Sequence, residues 1–212
     1  MTEVKRSYDA SGRQVQARAR RLAVVRAAQE LFERDGFRAT TIAAIARHAG
    51  VSAESIYKGF GTKAALAKAV FDVVIAGDDE PVPVAQRAQA QAIRAEPDAR
   101  TKIRMYAHGV TERAARSAAV QILIRDGRHV DDSLVPVWEK LVTEALTGMT
   151  MIGQHLVETG QLRPGISAAE VRDVLWNFIS VDNYERLVMR QRWSHDHYAT
   201  WLGNVIIASV CP

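Results

Sequence analysis

Apolar positions recur at three- and four-residue intervals through most of the chain, and no stretch alternates apolar and polar residues for long. That period belongs to helices that bury one face, so the pattern predicts an all-α fold. Leu22, Val25, Ala28 and Phe32, with Leu31 beside them, mark a first helix from about Ala17, and Gly36 is a natural stop. Thr41 offers an N-cap to a short helix carrying Ile42, Ile45, Ala46 and Ala49, which Gly50 ends. Ser52 offers the next cap, to a helix with Ile56 and Phe60 on its apolar side, broken at Gly61-Thr62. A fourth helix runs from Lys63 through Leu66, Val70 and Val74 to near Gly77. Further helices are expected near 84–95, 98–116, 118–128, 133–159, 167–190 and 195–210. Asp98 and Ser194 serve as caps, and Ser167 with Glu170 forms a capping box.

Proline, glycine and charge coincide in Gly77-Asp78-Asp79-Glu80-Pro81-Val82-Pro83, which marks a domain boundary. Three parts are expected: a flexible basic arm over 1–16, a small helical domain over 17–76 and a larger one over 77–212. Charge separates them. Residues 1–76 carry 13 Lys and Arg against 7 Asp and Glu, a net +6, and the remainder carries a net −2. The first domain therefore suits a polyanionic partner.

The chemistry-bearing segment is Thr40-Thr41-Ile42-Ala43-Ala44-Ile45-Ala46-Arg47-His48-Ala49-Gly50-Val51-Ser52-Ala53-Glu54-Ser55-Ile56-Tyr57-Lys58-Gly59-Phe60. A helix-turn-helix needs a small residue where its helices cross, met by Ala46. It needs a glycine where the chain turns left-handed, met by Gly50, and an apolar residue inside the turn, met by Val51. Ile45 and Ile56 would meet the first helix. The exposed face of the second short helix would then enter a major groove, about 12 Å wide.

With these residues the chain resembles the TetR family of bacterial transcriptional repressors. The resemblance runs from Ala27-Ala28-Gln29-Glu30-Leu31-Phe32 through Gly36-Phe37-Arg38-Ala39-Thr40-Thr41 and Ala49-Gly50-Val51-Ser52 to Ile56-Tyr57, Phe60, Lys63 and Leu66. It implies that Thr41 caps its helix and reaches a phosphate, and that Ser52, Ala53, Glu54 and Ser55 face base edges. It further implies phosphate contacts from Tyr57 and Lys63, to which Lys58 could add one. Glu54 could accept from cytosine N4, or simply favour the first turn of its helix. One departure is Gly59, where the family usually carries His or another bulky side chain. It implies a missing contact and a looser helix end. Lys5, Arg6 and Arg13 could reach an adjacent minor groove, or form a solvated tail. Arg18, Arg20 and Arg21 are further phosphate candidates.

For the larger domain the resemblance implies a small-molecule site and a homodimer. Tyr106, His108, Trp138, Met149, Ile152, His155, Trp176 and Asn183 are the ligand-site candidates, since Met and aromatic groups suit an adaptable apolar cavity. Val171, Leu175 and Phe178 on one late helix, and Tyr198, Trp201, Leu202 and Val205 on the next, form apolar stripes. These would make a four-helix bundle about a two-fold axis, or pack inside one subunit.

The full chain has 212 residues, 48% hydrophobic and 25% charged, within the globular range. One cysteine, Cys211, excludes an intrachain disulfide and a CxxC zinc site. No apolar run reaches about 18 residues, and the N-terminus is too polar for a secretory signal, so a cytoplasmic protein without a membrane span is expected. His195-Asp196-His197 does not share a helix face, and Gly59-Phe60-Gly61-Thr62-Lys63 lacks the order of a phosphate loop. Neither an enzyme nor a cofactor or metal site is expected. The reading is a ligand-responsive DNA-binding regulator, most simply a repressor released from a palindromic double-stranded operator. The alternative is a DNA-binding protein without an inducer, corepressor-dependent or architectural.

Overall fold

The computed structural model describes residues 10–78, 80 and 82–212. Its regular elements are helices: α1 (Ala10–Ala39), α2 (Ile42–Ala49), α3 (Ala53–Phe60), α4 (Lys63–Ala76), α5 (Ala88–Ala95), α6 (Ala99–Gly127), α7 (Val135–Glu158), α8 (Ala168–Phe178), α9 (Val181–Tyr184) and α10 (His195–Val210). Short 3-10 turns precede α5 and α7, and a π-helical segment, Glu185–Arg190, continues α9. Among the described residues the fold is all-α.

The chain divides into two compact units between Val70 and Phe71, inside α4 rather than at the proline-rich segment after it. In the first unit Val25, Ala28, Phe32, Ile45, Ile56 and Leu66 are buried, and the rings of Phe32 and Phe37 lie 5.5 Å apart. Regular helix ends at Gly36, whose φ of 78° no β-branched or bulky residue adopts comfortably. At the other end α1 starts at Ala10, so residues 10–16 belong to a helix and not to an arm. Arg, Gln and Ala are strong helix formers, and this extension needs no buried face: Val15 is 68% exposed. Lys5 and Arg6 lie outside the described residues, as do Asp79 and Pro81.

In the second unit α10 packs along α6 and α8, and α8 packs on α7. Ile103, Leu156, Val171, Leu175, Leu202 and Ile206 are at most 1% exposed. The caps on Asp98, Ser167 and Ser194 are all formed, the second as a complete capping box with Glu170. Two expected boundaries differ. A single helix, α6, replaces helices 98–116 and 118–128, because Ser117 turns its hydroxyl back to the Arg113 carbonyl (2.9 Å) and stays inside the helix. The expected helix 167–190 breaks after Phe178. Ser180 caps a new helix through the Asn183 amide, and the Asn183 side chain donates to the carbonyls of Asn177 (2.9 Å) and Phe178 (3.2 Å). Arg125 then grips the new segment, donating to Asp182 (2.5 Å) and Glu185 (2.8 Å).

Candidate nucleic-acid interface

The turn between α2 and α3 is built from local hydrogen bonds. Thr41 accepts from the Ala44 amide (3.1 Å) and starts α2. Gly50 takes φ 66°, ψ 34°, and the Val51 amide returns to the Ala46 carbonyl (3.0 Å). This left-handed step reverses the chain in few residues. Ser52 then accepts from the Ser55 amide (3.1 Å), and the two serine hydroxyls lie 2.8 Å apart. Ile56 is 1% exposed and pins α3 to the core. The opposite face, with Ser52, Glu54, Ser55, Lys58 and a 54%-exposed Tyr57, stands in solvent, and Ala53 is half-buried. Thr41 is exposed at the start of α2. One side of an eight-residue helix is thus anchored, and the other presents hydroxyls, a carboxylate, a phenol and an ammonium.

Side chains from other helices brace this hairpin. The Arg21 guanidinium donates to the Gly59 carbonyl (3.2 Å) and lies 4.3 Å from the Phe60 ring centroid. The end of α3 is therefore tied to α1, not loosened by Gly59 as the sequence suggested. A Cβ at Gly59 would meet nothing within 4 Å, so packing does not require the glycine. His48 meets Glu30 across α2 and α1 at 2.8 Å. The 2%-exposed Thr40 donates its hydroxyl to the carbonyls of Gly36 (2.8 Å) and Leu31 (3.0 Å).

Lys63, expected on a phosphate, has its ammonium on the carbonyls of Phe37 (2.8 Å) and Thr40 (3.0 Å) and 4.2 Å from the Phe37 ring centroid. It fastens the start of α4 to the turn before α2, and its charge stays in the field of this face. Arg21 is likewise engaged internally. Arg47, exposed on α2, received no role from the sequence; basic residues on short surface helices carry no local mark that separates phosphate contacts from solvated charge. Arg13, Arg18 and Arg20 are exposed along α1.

The ligand-site candidates of the second unit do not converge. Tyr106, Met149 and Ile152 lie in or against the main apolar cluster. His108 is exposed, and Trp176 is 39% exposed, so neither walls a cavity. On α6 and α8 these positions fall opposite the buried stripe. Trp138 sits under the Arg128 guanidinium, 4.9 Å from its ring centroid. Asn183 is spent as a cap. His155 pairs with Glu158 (3.0 Å) and lines an open cleft of about 370 Å³ with Arg94, Pro97 and Lys102.

The expected dimer stripe is also divided. Val171, Leu175, Tyr198 and Leu202 are at most 1% exposed within one chain, because α8 and α10 bury that face against α6 and α7. They are core, not seam. Phe178, Trp201 and Val205 remain half-buried on the outer side, and the rings of Phe178 and Trp201 meet edge to face at 6.3 Å.

Residues 24–70 match the family model described as bacterial regulatory proteins, tetR family. Among solved structures the chain is similar to the regulator FadR from Bacillus subtilis in complex with stearoyl-CoA, at 16% identity and TM-score 0.68, covering 89% of this chain and 97% of that one. It is similar to NalD, the secondary repressor of the MexAB-OprM multidrug efflux pump in Pseudomonas aeruginosa, at 18% identity and TM-score 0.68, covering 92% and 98%. The fatty acid degradation regulator FadR from Bacillus halodurans matches at 15% identity and TM-score 0.67, covering 88% and 94%. No curated protein sequence matches the chain significantly.

Proposed function

From an N-terminal segment, residues 24–70, that matches the model of the tetR family of bacterial regulatory proteins, we propose that this protein is a cytoplasmic homodimeric repressor released from a palindromic operator by a small molecule. One observation carries the reading: α3 is anchored by Ile56 and turns Ser52, Glu54, Ser55, Tyr57 and Lys58 outward on one face. A helix held this way fits a major groove. Ser52 and Ser55 would meet base edges with Ala53 between them, and Glu54 would accept from a cytosine amine. Thr41, Tyr57 and Lys58 would hold phosphates, joined by the field of Lys63 and Arg47.

Two modules must sit about 34–36 Å apart, or a multiple, to read two half-sites on one side of a duplex. Phe178, Trp201 and Val205 supply an outer apolar surface for that pairing. FadR from Bacillus subtilis, with stearoyl-CoA, supports a regulator of this fold holding a small molecule. An effector would act by its differential affinity for two conformers, with α4, which runs from one compact unit into the other, as the lever. Among the described residues no helix is long and apolar enough to cross a membrane.

Selection from a pool of random duplexes at moderate ionic strength tests the proposal. A two-fold symmetric consensus is the expected result. Indifference to sequence, with and without candidate metabolites, defeats it.

A further inference from the structure

One arginine in the second unit, Arg113, is desolvated and has the Glu112 carboxylate near it without a direct ion pair among the described residues. Tyr106, Gly109 and Arg113 stand three and four residues apart on α6, so they share one face of that helix. Arg113 folds back over Gly109 toward Tyr106. A Cβ at position 109 would lie 3.2 Å from Arg113 Nη1 and 3.0 Å from Gln89 Oε1, so the glycine is what leaves room for the guanidinium. Arg113 makes no ion pair among the described residues. Its hydrogen bond is a long one, 3.4 Å from Nη1 to the Gln89 side-chain oxygen. The neighbouring carboxylate, Glu112, is turned to the other end of that amide and accepts from Gln89 Nε2 at 2.8 Å.

Both groups are half-buried. Burial pushes the Tyr106 phenol above its ordinary value and the Arg113 guanidinium below its own. Yet each side chain keeps accessible surface. Among the described residues Arg87 Nε is the fully buried side-chain nitrogen or oxygen that lacks a partner, so the Tyr106 hydroxyl and the remaining Arg113 nitrogens are not fully buried. Desolvated groups whose polar atoms are not fully buried fit the wall of a recess. One wall is the Tyr106 ring, packed on the main apolar cluster, and the head of the recess is a planar fork of N–H donors.

We propose that this recess binds the carboxylate of a small, largely apolar organic acid, paired with Arg113 and hydrogen-bonded by the Tyr106 hydroxyl. A carboxylate matches the guanidinium fork with two parallel hydrogen bonds and supplies the direct ion-pair partner that Glu112, turned to Gln89, does not. The apolar body lies along the Tyr106 ring. Three residues further on α6, Arg116 donates to the Val74 (3.2 Å) and Ile75 (3.3 Å) carbonyls at the end of α4, and the two guanidiniums repel each other. The proposal rests on the effector-responsive reading above and gives it a ligand class.

Calorimetric titration of the full-length protein, without DNA, tests it with benzoate, phenylacetate and octanoate, each beside its primary amide. At least one acid is expected to bind about tenfold or more tightly than its amide, and Arg113→Gln is expected to erase that preference. No preferred acid, or a preference that survives Arg113→Gln, overturns the proposal. A second readout needs no ligand. Arg113→Met removes a desolvated charge that has no direct ion pair among the described residues, so the melting temperature of the ligand-free protein should rise; a fall marks the arginine as structural and overturns the site. Operator release is measured separately: an acid that binds but leaves the operator complex intact refutes the regulatory reading while the anion site stands.

Discussion

The helix-turn-helix and the last helices of the second unit carry similar apolar stripes and use them differently. On α3 one apolar residue, Ile56, goes inward and almost everything else faces out. On α8 and α10 apolar residues occupy several faces, so Val171, Leu175, Tyr198 and Leu202 vanish into the subunit while Phe178, Trp201 and Val205 stay near its surface. A short helix with one anchor shows its working face plainly. A helix that is apolar nearly all round shows only that it is covered, and its partners decide by what.

Charge placed on each side of α8 and α10 breaks the comparison most forcefully. Leu175→Glu puts an unpaired carboxylate in the core and should cost about 3–5 kcal/mol, read by denaturant unfolding. Trp201→Glu, at a half-buried position whose ring also meets Phe178, Trp193 and Tyr198, should cost less stability than Leu175→Glu and split the proposed dimer in sedimentation. A folded monomer from Leu175→Glu would return that residue to the seam.

Lys63→Met comes next. Losing two charge-assisted hydrogen bonds to the Phe37 and Thr40 carbonyls should cost about 1–3 kcal/mol. If the ammonium also serves a phosphate, the salt slope of operator binding falls by about one unit; an unchanged slope confines Lys63 to bracing.

A smaller effect is expected at the Arg125 network. Hydrogen bonds from Arg125 and Arg190 hold the Glu185 carboxyl below its ordinary range. A depressed carboxylate stabilises the fold above its unfolded value, and that contribution is lost as pH falls through the lowered folded value. Glu185→Gln should therefore cost about 1 kcal/mol at neutral pH and progressively less in acid. A melting difference that does not shrink on acidification removes the ion pairs from the account.

Ser55→Ala should have the least effect on stability, within about 0.5 kcal/mol, since Ser52 still caps the helix. It should nonetheless change the preferred base at one operator position. A consensus identical to that of the parent protein takes Ser55 off the base edges.

Features closed by short-range bonds were legible in the sequence. Thr41, Ser52, Ser167 and Ser194 each cap through an amide three residues on, and Gly50 turns the chain by itself. Features decided by distant partners were not. Apolar spacing runs straight through Ile179, so the break at Ser180 and the hold of Arg125 on Asp182 left no trace. An arginine at Arg113 reads as a solvated helix residue until Gly109 and Gln89 are seen around it. Lys63 looked like a phosphate ligand because its carbonyl partners lie 26 and 23 residues away.

The empty space beside Gly59 bears on how such a reader could diverge. Since nothing crowds that position and Arg21 already secures the carbonyl there, a mutation to a larger side chain would leave the scaffold undisturbed and enlarge the exposed end of α3. Residue 59 is therefore a place where one codon can alter the exposed surface of α3 with no compensating change elsewhere.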